Sequence, residues 1–90
     1  MQPHLLHLRI ISPQMIEYEG NVKMVIIPGI EGELGILPHH APIIVELTEG
    51  KIVVHGKSNS EYIDIQGGVA SIGNDNRLEI LLTNSIAKNI

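Results

Sequence analysis

The sequence predicts an all-β domain, a sandwich or barrel of short strands. Two observations carry this. Hydrophobic residues make up 43% of the 90-residue chain, yet there is no Phe or Trp and only two Tyr. The core must therefore be aliphatic. Ile and Val are stiff at χ1 and suit a pleated surface. Turn-forming residues also recur every several positions, with short apolar runs between them, as in all-β folds.

The elements follow in order. Leu5 to Ile11 reads as a first strand, ended by Ser12-Pro13. Met15 to Tyr18 reads as a short second strand, ended by Gly20-Asn21. Val22 to Ile27 is mostly apolar and fits a strand buried on both faces, with Pro28-Gly29 ending it. Leu34 to Leu37 reads as a short strand within the segment that follows. Ile43 to Thr48 alternates, with Ile43, Val45 and Leu47 on one face and Glu46 and Thr48 on the other. Lys51 to His55 and Glu61 to Ile65 read as a hairpin, with Ile63 and Ile65 inward and Tyr62 and Asp64 outward. Gly67-Gly68 bends the chain before Val69 to Ile72, and Gly73 to Asn76 makes a tight turn. Arg77 to Thr83 alternates again, with Leu78, Ile80 and Leu82 inward. Residues 84–90 show no pattern, and the whole is expected to be one domain, 1–90.

Composition excludes several functions. The net charge is −4, and the six Lys and Arg residues are scattered. Nucleic-acid binding needs a basic stripe or stacking aromatics, and neither is present. The same charge balance disfavours anionic membranes. No apolar run approaches the ~20 residues that span a bilayer, and the start does not read as a signal peptide. The absence of Cys removes disulfides and thiolate metal sites.

Gly29 to Pro42 is the segment richest in special residues, with three glycines, two acids, two prolines and two histidines. A phosphate loop would need a following Lys and Ser or Thr, or a helix N-terminus. Here Glu31 and Glu33 would repel phosphate. His39 and His40 are adjacent, so an extended chain points them to opposite faces, away from a shared metal. His4 and His7 differ in parity, and His55 is remote in sequence. Glu31 and Glu33 share a side of an extended segment and have the chemistry for acid–base work, but no nucleophile or third group accompanies them. The plainer reading is a solvated acidic tip or a charged contact with a partner. Pro38 and Pro42 fix φ, and Leu37 and Ala41 before them are held extended. A stiff segment loses less entropy on docking, which favours recognition of a macromolecule.

Glu31-Gly32-Glu33-Leu34-Gly35-Ile36, then Pro38 and His40-Ala41-Pro42, resembles the hallmark segment of the ε subunit of bacterial F-type ATP synthase, called δ in mitochondria. His7-Leu8 through Ser12, Glu19-Gly20, Val22 to Ile27 and Gly67-Gly68-Val69 are similar to flanking elements of that family, so the resemblance runs from about Leu5 to Ala87. It implies a flattened β-sandwich of about ten short, mainly antiparallel strands. It also implies a non-catalytic, cofactor-free place in the rotary central stalk, between the γ subunit and the membrane c-ring, on the cytoplasmic face of the bacterial inner membrane. The subunit would be peripheral to the membrane and not inserted.

Carried over, Glu31, Gly32, Glu33, His39 and His40 face the polar loops of the c-ring. Ile11, His40 and Ile43 face γ. Position 39 in the family is more usually Gly or Asn, which points to positive φ, a conformation His tolerates better than most large residues. Many members continue into a C-terminal helical hairpin that inhibits ATP hydrolysis and in some binds ATP. That hairpin has no counterpart in these residues, so neither property is carried over. The rival readings are a free-standing β-sandwich adaptor or ligand-binding module, and a small metal-dependent enzyme using His39, His40 and the nearby acids.

Overall fold

The computed structural model describes residues 4–84 and residue 86. The irregular tail expected at 84–90 falls largely outside the described residues. Nine strands follow one another among the described residues, where about ten were expected. They are β1 (Leu6–Ile11), β2 (Ile16–Val22), β3 (Met24–Gly29), β4 (Gly32–Ile36), β5 (Ile43–Leu47), β6 (Gly50–His55), β7 (Ser60–Ile65), β8 (Gly68–Ile72) and β9 (Arg77–Leu82).

One sheet, ordered β2-β1-β9-β8-β5-β3-β6-β7 with β4 on the other edge of β3, curls over itself into the two layers of a sandwich. The layers meet where β5 and β3 pair only at Leu47 and Gly29. Every pairing is antiparallel except β1 with β9, which run parallel in register, Leu8 beside Leu78 and Ile10 beside Ile80. The first strand is thus interior to its layer, between β2 and β9.

Alternation explains the burial. On β1, Leu6, Leu8 and Ile10 are fully buried, and on β9 Leu78, Ile80 and Leu82 face the same core. The opposite layer supplies Val25, Ile27, Ile36, Ile52 and Val54. The core is aliphatic throughout, as the composition required, so its cohesion rests on close packing of branched side chains.

Three boundaries differ from the sequence reading. Strand β2 does not end at Gly20-Asn21 but continues to Val22, because Gly20 and Asn21 pair with Leu8 and His7. Strand β3 begins at Met24 and does not stop at Pro28-Gly29. Pro28 brings no N–H to the ladder, and its carbonyl accepts from Thr48 N–H at 2.9 Å. Gly29 is required for another reason: a Cβ would lie 2.7 Å from the Gly32 carbonyl oxygen. Finally, the short strand expected at Leu34 to Leu37 is β4, which starts at Gly32 and ends at Ile36, paired with β3 from Val25–Ile36 to Gly29–Gly32.

Candidate functional site

The β3–β4 hairpin sorts the special residues. Ile30 and Glu31 form its two-residue tip between the paired Gly29 and Gly32, and Gly32 takes a φ of 130°. The tip is pinned to β5 by a 2.9 Å hydrogen bond from Ile30 N–H to the Glu46 carbonyl. Glu31 and Glu33 are exposed at this end, beside a shallow hollow whose other wall is Ile43 to Glu46.

The histidines lie elsewhere. Five residues of β4, about 13 Å of strand from first to last at ~3.3 Å per step, separate Gly32 from Ile36 and the turn beyond it. His39 and His40 therefore sit past the far end of β4 from the acids. His39 has a φ of 67°, the left-handed backbone that the comparison with Gly and Asn anticipated. Its N–H donates to the Asn76 side-chain oxygen at 2.8 Å, and its ring stands edge-on to that of His4, with centroids 5.7 Å apart. His40 Nδ1 lies 2.7 Å from the Ala41 carbonyl oxygen, a bond within its own turn.

The other histidines are engaged separately. His7 contacts Asn21 at 3.1 Å and Glu19 at 3.3 Å, and His55 contacts Ser60 at 2.8 Å. Among the described residues, no three His, Asp or Glu side chains gather as metal ligands. No helix among them is long and apolar enough to cross a membrane.

A surface that sequence reasoning missed lies on the outer face of the β2-β1-β9-β8-β5 layer. Ile16 pairs with Ile11, Ile11 with Leu81, and Leu81 with Val69. Directly paired residues share a face, so these four aliphatic side chains form one row across four strands, about 14 Å at ~4.8 Å per strand. Leu81 is 52% exposed and Val69 41%. Glu46 ends the row on β5, and Ile44, 75% exposed, stands one position along.

The neighbouring row on this face is polar, with Arg9 3.6 Å from Glu79. Arg9 Nε is buried and has no hydrogen-bond partner among the described residues. Of the residues expected to face γ, Ile11 lies in the apolar row. Ile43 pairs with the buried Ile72 at the start of β5, and His40 lies in the turn before it. Doubled aliphatics, Ile10-Ile11 and Leu81-Leu82, are the sequence signal for this face: Ile10 and Leu82 point to the core, and their neighbours Ile11 and Leu81 must point out. In Ile43-Ile44 both members are exposed, where Ile43 was expected on the same face as the buried Leu47.

The conspicuous features are thus an acidic hairpin tip and an apolar row on the outer face of an all-β domain. Comparison with known proteins gives the family. The profile of the ATP synthase, Delta/Epsilon chain, beta-sandwich domain matches residues 5–88, and the chain belongs to this family. It is 41% identical over 68 residues to an ATP synthase epsilon chain of Caulobacter vibrioides, covering 76% of this chain and 79% of that one. It is 35% identical over 88 residues to an ATP synthase epsilon chain of Leptospira borgpetersenii, covering 98% and 68%.

Among solved structures, a chain of the Euglena gracilis mitochondrial ATP synthase OSCP/F1/c-ring assembly superposes with a TM-score of 0.86 at 21% identity, covering 93% of this chain and 54% of that one. A chain of the Tetrahymena thermophila mitochondrial ATP synthase central stalk and c-ring gives 0.75 at 19%, covering 88% and 63%. At these identities the likeness is one of fold. This chain spans little more than half of the Euglena chain's length.

Proposed function

We propose that this domain is a rotor subunit of a proton-translocating F-type ATP synthase, joining the γ subunit to the membrane c-ring. It carries no chemical step; it transmits torque as a rigid body with two interfaces. It works on the cytoplasmic face of the bacterial inner membrane, held there through the complex.

The observation that carries this reading is the apolar row Ile16–Ile11–Leu81–Val69 on a face with no covering layer among the described residues. An aligned apolar row of this kind marks a surface that another protein covers. On this reading γ covers the row, with Ile11 near its middle; membership of the ATP synthase Delta/Epsilon family supports a partner from that complex. The acidic tip of Glu31 and Glu33 then serves the ring. Its exposed carboxylates are placed for charge pairing with basic groups on the c-ring loops, while His39 and His40, past the far end of β4, lie outside that contact.

Replacing Glu31 and Glu33 together by Gln tests the ring side. The double variant should fold normally, and ring association should weaken and lose most of its dependence on salt. Unchanged ring association at both low and high salt would remove the tip from the interface.

A further inference from the structure

The distribution of positive charge is uneven. Five Lys and Arg residues fall within the described region. Arg9 pairs with Glu79, Lys51 with Asp64 and Arg77 with Asp75. The two that form no ion pair among the described residues, Lys23 and Lys57, line one and the same cleft. His4 and His39 stand on that cleft as well, and among the described residues no carboxylate lines it. In a chain of net charge −4, this concentrates the unpaired cations of the described region at one place.

Leu5, Leu37 and Pro38 give the cleft an apolar lining, and Leu37 remains 55% exposed. Its volume, about 620 Å³, is within the ~300–1,000 Å³ of ordinary ligand sites. Its walls come from separate parts of the fold: the approach to β1, the β2–β3 junction at Lys23, the turn after β4, and the β6–β7 turn at Lys57. It lies at the start of β3, whereas Glu31 lies beyond its end, so β3 separates a basic end from an acidic one.

We infer that this cleft binds an acidic peptide segment of a partner protein, one in which carboxylates alternate with large aliphatic side chains. An extended segment puts alternate side chains on opposite sides. Its aliphatic side chains cover Leu5 and Leu37, and its carboxylates reach Lys23 and Lys57 at the rim. Lysine suits this role as a mobile point charge that needs no fixed bidentate geometry. The inference does not rest on the rotor reading, because it uses neither the apolar row nor the hairpin tip.

The test is an NMR titration of the 90-residue chain with an end-blocked hexapeptide of alternating Leu and Glu. The controls are the Leu–Gln hexapeptide and inorganic phosphate. The expected result is saturable shifts confined to the amides of Leu5, Lys23, Leu37, His39 and Lys57. The Gln peptide should bind about tenfold more weakly or not at all. Raising salt from about 50 to 300 mM should weaken the Glu peptide, since screening tightens over that range.

Charge reversal in K23E/K57E should abolish the shifts, and the single exchange K57Q, in an exposed turn, should reduce them even if the double variant folds poorly. Equal binding of both peptides, shifts mapping elsewhere, or full binding by K57Q and K23E/K57E would overturn the inference. Saturation of the same amides by phosphate with none by the Glu peptide would also overturn it, since the cleft would then be a small-anion site.

Discussion

The N–H of His39 donates to the side-chain oxygen of Asn76 across 37 positions of sequence, at 2.8 Å, and both residues hold left-handed backbone, with φ of 67° and 62°. The Asn76 side-chain amide also donates to the Leu5 carbonyl, and the Asn76 carbonyl accepts from His7 N–H at 3.1 Å. One residue therefore ties the β8–β9 turn to the chain entering β1 and to the turn after β4. The Asn76 side chain provides both a donor and an acceptor, and each is used.

Asn76→Gly retains the backbone conformation and removes both side-chain bonds. Stability should fall by about 1–3 kcal/mol, since each such bond contributes roughly 0.5–1.5. Asn76→Asp should be similarly damaging, because a carboxylate cannot donate to the Leu5 carbonyl. Urea unfolding measures the loss. Amide exchange should show the His39 N–H losing protection in Asn76→Gly but keeping it in Asn76→Asp, whose carboxylate still accepts from it, while the centre of β9 keeps its own in both.

The two glycines Gly32 and Gly68 should respond very differently to alanine. A Cβ on Gly68 would lie 2.2 Å from the Leu81 carbonyl oxygen, inside the β8–β9 ladder, whereas one on Gly32 meets nothing within 4 Å. Gly68→Ala must push two paired strands apart and should cost about 3 kcal/mol or more. Gly32→Ala carries only the strain of a φ of 130°, about 1–2 kcal/mol. Thermal unfolding of the pair should rank them in that order.

Tyr18 connects stability to alkaline pH. Burial lifts its phenol above the ordinary 10.0, and the Glu61 carboxylate adds to the rise. The folded chain then keeps this proton where the unfolded chain has begun to lose it. Folding stability from this group is complete below about pH 10 and declines as pH climbs through the raised value, because the unfolded state binds fewer protons there. Tyr18→Phe should remove that part of the alkaline decline. Urea midpoints measured for both chains from neutral pH to above 10 should diverge in slope only in the alkaline range.

The strands were legible in the sequence because burial follows parity. Leu78, Ile80 and Leu82 declared the inner face of β9, as did Ile63 and Ile65 on β7. The positive φ of His39 was also foreseen, from the small residues usual at that position in the family. The course of Gly20-Asn21 was not, because turn-forming residues inside a strand look the same as a strand end until their partners Leu8 and His7 are known.

The apolar row was hidden for a related reason. Ile11 and Leu81 become neighbours only through the parallel pairing of β1 with β9, a contact between the two ends of the chain that local patterning does not encode. The Asn76 clamp was hidden likewise, since Gly73 to Asn76 read as a turn and nothing in the turn names its partners. The separation of Glu31 from His39 follows from β4: a short strand was legible at Leu34 to Leu37, but its antiparallel pairing with β3, which makes a hairpin with two distinct ends, was not.

The central claim is that γ covers the outer apolar row. It is tested most directly by co-expressing γ with this chain and with its Leu81→Glu and Val69→Glu variants, then measuring the fraction of γ recovered in complex. Both side chains point away from the core, so the variants should still fold; Val69→Glu, set opposite Glu46, should lose about 0.2–1 kcal/mol to like-charge repulsion. The unaltered chain should co-purify with γ in equal amounts, and each Glu variant should lose most of that association, because a charge placed in an apolar contact must be desolvated without a partner. Folded variants that bind γ as well as the unaltered chain, or an unaltered chain that never associates with γ, would contradict the account.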